Sequence, residues 1–190
     1  MAGQARTRIS ESAENRYATA EEFLRIFDED LNPLYQLSFL LTGDHQKGET
    51  CFVAGIERCA NESSVFRHWA RAWTKRVIVE SAIRELQPRL SSNSSPLRSA
   101  FSHNQQSGTP SRHFDAEAVL RLADFERFVF VMCVLERYRK SECALLLGCT
   151  ASQVHEACSR AIKALAQYRS GVVFGKFSSP IKRSGERSGY

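Results

Sequence analysis

Between residues 88 and 113 the chain reads PRLSSNSSPLRSAFSHNQQSGTPSRH, and this stretch limits the fold more than any other. It is rich in Ser, Asn, Gln and Pro and poor in large apolar side chains. Such a segment buries too little surface to offset the entropy of ordering, and is expected to be a flexible linker. On either side lies an island with apolar residues at helical spacing and no sustained strand alternation. The expectation is an all-α chain of two small helical domains, residues 17–87 and 114–169, joined by that linker. A disordered N-terminus (1–16) and a basic, mostly disordered tail (170–190) complete the reading.

In the first island, Thr19 and Glu22 form a capping-box pattern ahead of Phe23, Ile26, Phe27 and Leu31. Asn32-Pro33 is expected to bend or break that helix, and Leu34, Leu37, Leu40 and Leu41 resume the pattern until Thr42-Gly43 ends it. Asp44 is placed to cap a second helix holding Cys51, Phe52, Ile56 and Cys59. A third helix is expected from about Ser64 to Leu86, with Phe66, Trp69, Trp73, Val77 and Ile83 inward and Pro88 past its end. In the second island a short helix is expected from Ala116 to Leu122, and Asp124 is placed to cap the next, with Phe125, Phe128, Val129, Met132 and Leu135 as its stripe. A helix from Glu142 to Leu147 and a final one from Ala151 to about Tyr168 follow.

Charge separates these parts. Residues 1–87 hold 11 basic and 13 acidic groups, and residues 114–158 hold five and seven. Residues 88–113 hold three basic groups and no acid, and residues 159–190 hold seven basic groups against one acid. The positive charge therefore sits in the linker, the last helix and the tail, where it suits either phosphate contact or simple solubility. No apolar run approaches a membrane span and the polar N-terminus lacks a signal core, so a cytoplasmic protein is expected. The six cysteines form no CxxC pair and fall in apolar helical patterns, as small hydrophobes do. Cys149, His155 and Cys158 have zinc-like spacing but no fourth ligand, and neither a metal nor another cofactor is expected. His45, His68, His103, His113 and His155 are scattered and no Ser/His/Asp constellation stands out, so catalytic residues and enzyme activity are not expected.

The segment LGCTASQV, residues 147–154, reads as a corner. Gly148 stops one helix, Thr150 and Gln153 make a second capping box, and the small Ala144 permits close packing. In the last helix Val154, Ala157, Cys158, Ala161 and Leu165 share one side. Ser152, Glu156, Ser159 and Lys163 lie opposite, with Gln153, His155 and Arg160 on the flanks. A short helix, a tight turn and a helix with a polar outer face make a helix-turn-helix pattern, whose second helix fits a DNA major groove. A plain helical bundle with a packing bend is the competing reading.

Residues 122–165, LADFERFVFVMCVLERYRKSECALLLGCTASQVHEACSRAIKAL, resemble region 4 of bacterial RNA polymerase sigma factors of the extracytoplasmic-function class. The resemblance rests on Leu122, Val129, Leu135-Glu136, Glu142, Ala144, Leu147-Gly148, Thr150, Val154, Arg160-Ala161 and Leu165. LYQLSFLLTGD (34–44) and FRHWARAWTKRVIVESAIREL (66–86) are more weakly similar to parts of region 2. The resemblance implies transcription initiation without chemistry of the chain's own. RNA polymerase core and promoter DNA would be its partners, with an anti-sigma protein as a further one. It implies that Ser152, Gln153, His155, Ser159, Arg160 and Lys163 face upstream DNA, and that Lys75 and Arg76 contact a melted strand. Trp69 and Trp73 could stack on a base, but their spacing favours the core.

The chain departs from the family pattern in places. The acids of the polymerase-facing helix of region 2 are replaced by Thr50, Val53 and Ala54. The acidic-glycine turn before the first motif helix is Glu136-Arg137, the proline after Leu122 is Ala123, and Glu156 stands on the recognition helix. The expected function is recruitment of polymerase to promoters. The alternative is a degenerate sigma-like protein that regulates or scaffolds through protein contacts without promoter recognition.

Overall fold

The computed structural model describes residues 16–61, 64–89 and 116–175, with side chains through residue 168. It is all-α: among the described residues no strand forms, and extended pairing is limited to isolated bridges such as Tyr17–Phe66. No helix of the described residues is long and apolar enough to cross a membrane. Most of the linker (from residue 90), nearly all of the N-terminus and the tail beyond residue 175 lie outside the described residues.

Helix α1 spans Ala20–Glu29 and opens with the full capping box: the Glu22 amide donates to Thr19 Oγ1 (3.3 Å), and the Thr19 amide donates to Glu22 Oε2 (3.0 Å). Phe23, Ile26 and Phe27 are its buried face. The chain breaks at Asp30, earlier than Asn32-Pro33 suggests, and α2 runs Leu31–Thr42. Pro33 thus sits in the first turn of α2, where a missing N–H costs nothing because that amide has no intrahelical acceptor. Helix α2 ends at Gly43 (φ 68°), and Asp44 caps α3, His45–Ala60, by accepting from the Lys47 amide (2.9 Å).

Helix α4 is shorter than its apolar pattern implies: Ala70–Leu86, preceded by a 3₁₀ turn at Arg67–Trp69. The reason is backbone pairing. The Ala18 amide donates to Val65 O (2.7 Å) and the Arg67 amide to Arg16 O (2.8 Å), which holds residues 65–66 extended against the start of the chain. Val77, Ile78, Val79 and Ala82 are buried in α4, but Trp69 stands 59% exposed, against the expectation that it belongs to the core. Helices α3 and α4 approach closely at Gly55, where a Cβ would lie 3.1 Å from Ile78 Cγ1.

After the linker, α5 is Ala116–Leu120 and α6 is Asp124–Phe130. Asp124 is the first residue of α6 and not its cap; Ala123 occupies the cap position without a side-chain bond, and the Asp124 carboxylate instead accepts from Arg127 Nη2 (2.9 Å). A π-helical turn, Val131–Leu135, continues α6, with the Glu136 amide donating to Val131 O (2.9 Å). Arg137 then adopts φ 60°. Helix α7 begins two residues before the expected Glu142, spanning Lys140–Leu147, and ends at Gly148 (φ 63°). Helix α8 runs Ala151–Gly175, past the expected end near Tyr168 and through Gly171, which is tolerated in a helix at about 1 kcal/mol.

The two helical groups share one continuous apolar core, α2 lying against α5 and α6, and α4 against α7. Arg127 is the polar centre of this contact. It is 3% exposed, and its guanidinium donates to Leu41 O (3.1 Å), Thr42 O (3.1 Å) and Leu122 O (3.3 Å). The last carbonyls of a helix lack intrahelical donors and carry partial negative charge. Arg127 of the second group therefore caps α2 of the first.

Candidate nucleic-acid interface

The corner between α7 and α8 follows from two local devices. Gly148 takes the left-handed conformation that lets the Cys149 amide reach back to Ala144 O (3.0 Å), and open space surrounds the position where a Cβ would lie. Thr150 and Gln153 then close the second capping box: the Gln153 amide donates to Thr150 Oγ1 (3.2 Å) and the Thr150 amide to Gln153 Oε1 (2.8 Å). Behind the corner, Val154, Ala157, Ala161, Ala164 and Leu165 are buried. Ser152, His155, Glu156, Arg160 and Lys163 are exposed, and Gln153, Cys158 and Ser159 are half-buried.

Several of these polar groups already have partners. Gln153 is spent on the cap, and the Ser159 hydroxyl donates to His155 O (3.0 Å). Lys140 Nζ lies 2.7 Å from His155 Nδ1, which joins the start of α7 to the first turns of α8. Arg160 grips Glu126 Oε1 through Nε (3.1 Å) and Nη2 (3.0 Å), tying α8 to α6. Glu126 is only 9% exposed, so its carboxylate depends on that cation. Lys163 has no carboxylate partner among the described residues.

Lys75 and Arg76 belong to a different place. They line an open cleft of about 570 Å³ between α4 and the segment 136–142, together with Trp69, Trp73, Arg137 and Tyr138. Lys75 Nζ pairs with Glu136 Oε2 (2.8 Å), and Arg76 Nε with Glu80 Oε1 (2.9 Å) on its own helix. Trp73 Nε1 is buried without an acceptor among the described residues, and Trp69 stacks edge-on to Phe66 (5.6 Å between centroids). Burial, then the Glu136 carboxylate, pushes the Tyr138 phenol up to about 12, so it stays a neutral donor.

Arg137 is the cleft residue that the sequence did not single out as a contact. It carries a left-handed φ of 60°, is exposed, and pairs with no carboxylate among the described residues. A non-glycine residue held at positive φ marks local backbone strain. Cys149, His155 and Cys158 are not gathered into a ligand set; among the described residues no three His, Cys, Asp or Glu side chains could hold a metal ion.

The arrangement is two polar, hydrogen-bonding surfaces on one helical body, the exposed flank of α8 and the aromatic cleft beside α4. No protein-family model matches the chain, and no curated protein matches it.

Proposed function

We propose that the chain is a sigma-factor-like DNA-binding protein that brings RNA polymerase to promoters. The observation that carries this reading is the division of α8 behind the Gly148 corner. Val154, Ala157, Ala161 and Leu165 face the core, while Ser152, His155 and Lys163 face solvent. Together with α7 this supports reading the pair as a helix-turn-helix, in which the outer flank of the second helix meets base edges and phosphates. Lys163 supplies phosphate or guanine contact, Ser152 and His155 supply adaptable hydrogen bonds, and Gln153, whose backbone N–H and Oε1 are held in the cap, has only its side-chain NH2 to offer. Arg160 acts here as a positioning residue through Glu126. The cleft with Lys75, Arg76, Trp69 and Trp73 offers cations and aromatic faces to an unstacked strand. The reading places the protein in the cytoplasm with core polymerase, with an anti-sigma protein as a further partner.

One observation favours the second reading, a degenerate sigma-like protein working through protein contacts. Lys75, Arg76 and Arg160 are paired with Glu136, Glu80 and Glu126, which leaves fewer cations for phosphate. Run-off transcription with purified core polymerase, comparing the wild type with Lys163→Ala and Arg160→Ala, separates the two. Promoter-specific transcripts that weaken in Lys163→Ala with the fold retained support the first. Absence of any transcript, with DNA binding that hardly changes with salt, refutes it.

A further inference from the structure

Cys133 lies on the π-helical turn and Cys143 on α7, and their sulfurs are 3.3 Å apart. A disulfide brings two sulfurs to about 2.05 Å, so the gap to be closed is about 1 Å. The two thiols differ in setting. Cys143 is fully buried, whereas Cys133 is half-buried, so a small oxidant meets Cys133 first. The pair is also polarised. The thiol hydrogen bond shared with Cys143 draws Cys133 below its usual range, and the Lys140 ammonium adds to this against the effect of burial. The same hydrogen bond, with burial, pushes Cys143 up, so Cys143 keeps its proton. A nucleophilic, partly accessible thiol beside a protonated resolving thiol is the arrangement in which sulfenic acid condenses to a disulfide.

We propose that Cys133 and Cys143 are a peroxide-sensitive dithiol. Cys133 attacks one oxygen of hydrogen peroxide, the O–O bond breaks, and Cys133 sulfenic acid and one water result. Cys143 then attacks the Cys133 sulfur, its proton leaves with the departing hydroxide as a second water, and the S–S bond forms. In total two thiols lose two electrons and two protons, and one peroxide is reduced to two waters. The bond closes the loop 133–143, which contains Glu136, Arg137 and Tyr138 of the cleft wall. Oxidation therefore stiffens the turn whose Glu136 holds Lys75. This inference stands apart from the transcription reading and needs none of it.

The test uses the whole reduced chain. It is treated with hydrogen peroxide and denatured, the remaining thiols are alkylated, and the alkyl groups are counted by intact mass. The expected result is a fall from six alkylated cysteines to four, reversed by dithiothreitol. Trypsin cuts after Arg137, Arg139 and Lys140, so the linked cysteines appear as two peptides joined through Cys133 and Cys143. Cys149 and Cys158 share the second of those peptides, and fragmentation within it locates the bond. Six alkylated cysteines after treatment overturn the proposal. So does a bond to Cys149 or Cys158, or Cys133 oxidised to sulfinic acid with Cys143 still free. In Cys143→Ala, with helicity checked by circular dichroism, Cys133 should accumulate sulfenic acid that dimedone traps. Failure of that variant to fold leaves the wild-type map as the deciding result.

Discussion

Replacing Arg137 with glycine should stabilise this protein, although it deletes a large side chain. Arg137 sits at φ 60° in the turn between the π-helical segment and α7. An L-residue held there costs roughly 1–2 kcal/mol because Cβ crowds the following carbonyl. Glycine escapes that cost but gains freedom in the unfolded chain, which returns about 0.5–1 kcal/mol to the unfolded state. The guanidinium has no carboxylate partner among the described residues, so little native interaction is lost. The net expectation is a gain of about 0.5–1 kcal/mol, which for a chain of this size is a rise in Tm of roughly 1–4 °C. Calorimetry or circular dichroism on the full chain measures it, with Arg137→Ala beside it. Alanine removes the same charge but keeps Cβ, so it should not share the gain. Equal shifts in the two variants, or a loss in Arg137→Gly, would refute the reasoning by showing that the side chain and not the backbone sets the energy. If Arg137 also serves the cleft, the same substitution should lower binding there while it raises Tm, since strain is kept where function uses it.

The other predictions rest on equally specific contacts. Arg127→Met should cost about 3–5 kcal/mol in urea unfolding, because it strands the buried Leu41 and Thr42 carbonyls and breaks the ion pair with Asp124; a loss under about 1 kcal/mol would contradict the capping role. Gly148→Ala should lose about 1–2 kcal/mol from backbone strain alone, since nothing crowds its Cβ, whereas Gly43→Ala should lose more because its Cβ would meet the Arg127 guanidinium at 3.2 Å. Lys163→Ala should leave stability unchanged and reduce the salt slope of DNA binding by about one, while Arg160→Ala should cost about 1–2 kcal/mol by leaving Glu126 unpaired in a partly solvated site. Alkali should weaken the fold through two groups held neutral by burial. Cys51 is pushed from 9.0 up to about 11 by burial, then by Glu85, and Tyr138 from 10.0 up to about 12. Folded-state values raised above the unfolded ones mean a contribution fully present below pH 9 and lost as pH climbs through 11 and 12. A flat Tm between pH 9 and 11 would count against it.

What the sequence showed and what it hid divide along chain distance. Both capping boxes, the Asp44 cap and the glycine stops at residues 43 and 148 were legible because each is settled within three or four residues. The apolar stripe of α8 was legible for the same reason. The start of α4 was misplaced because residues 65–67 spend their backbone on residues 16–18, a pairing that helical periodicity cannot register. Trp69 has the spacing of a core residue, but it falls in the 3₁₀ turn that this pairing creates and so points outward. Nothing local marks Arg127 in the sequence; only the folded chain brings Leu41 and Thr42 to it. Of the candidate contact residues, exposure along α8 could be projected from sequence, but the ion pairs of Lys75 and Arg160 could not.

The plug that Arg127 inserts into the end of α2 has a temporal meaning. A chain made from its N-terminus exposes Leu41 O and Thr42 O long before the guanidinium that satisfies them has been synthesised, 86 and 85 positions later. At usual elongation speeds that is a delay of roughly 4–17 seconds. Through this interval water must stand in for the arginine, the last turn of α2 is free to fray, and the earlier helices can only wait for their missing stopper. A nascent fragment ending in the linker should therefore be a better chaperone client than the finished protein.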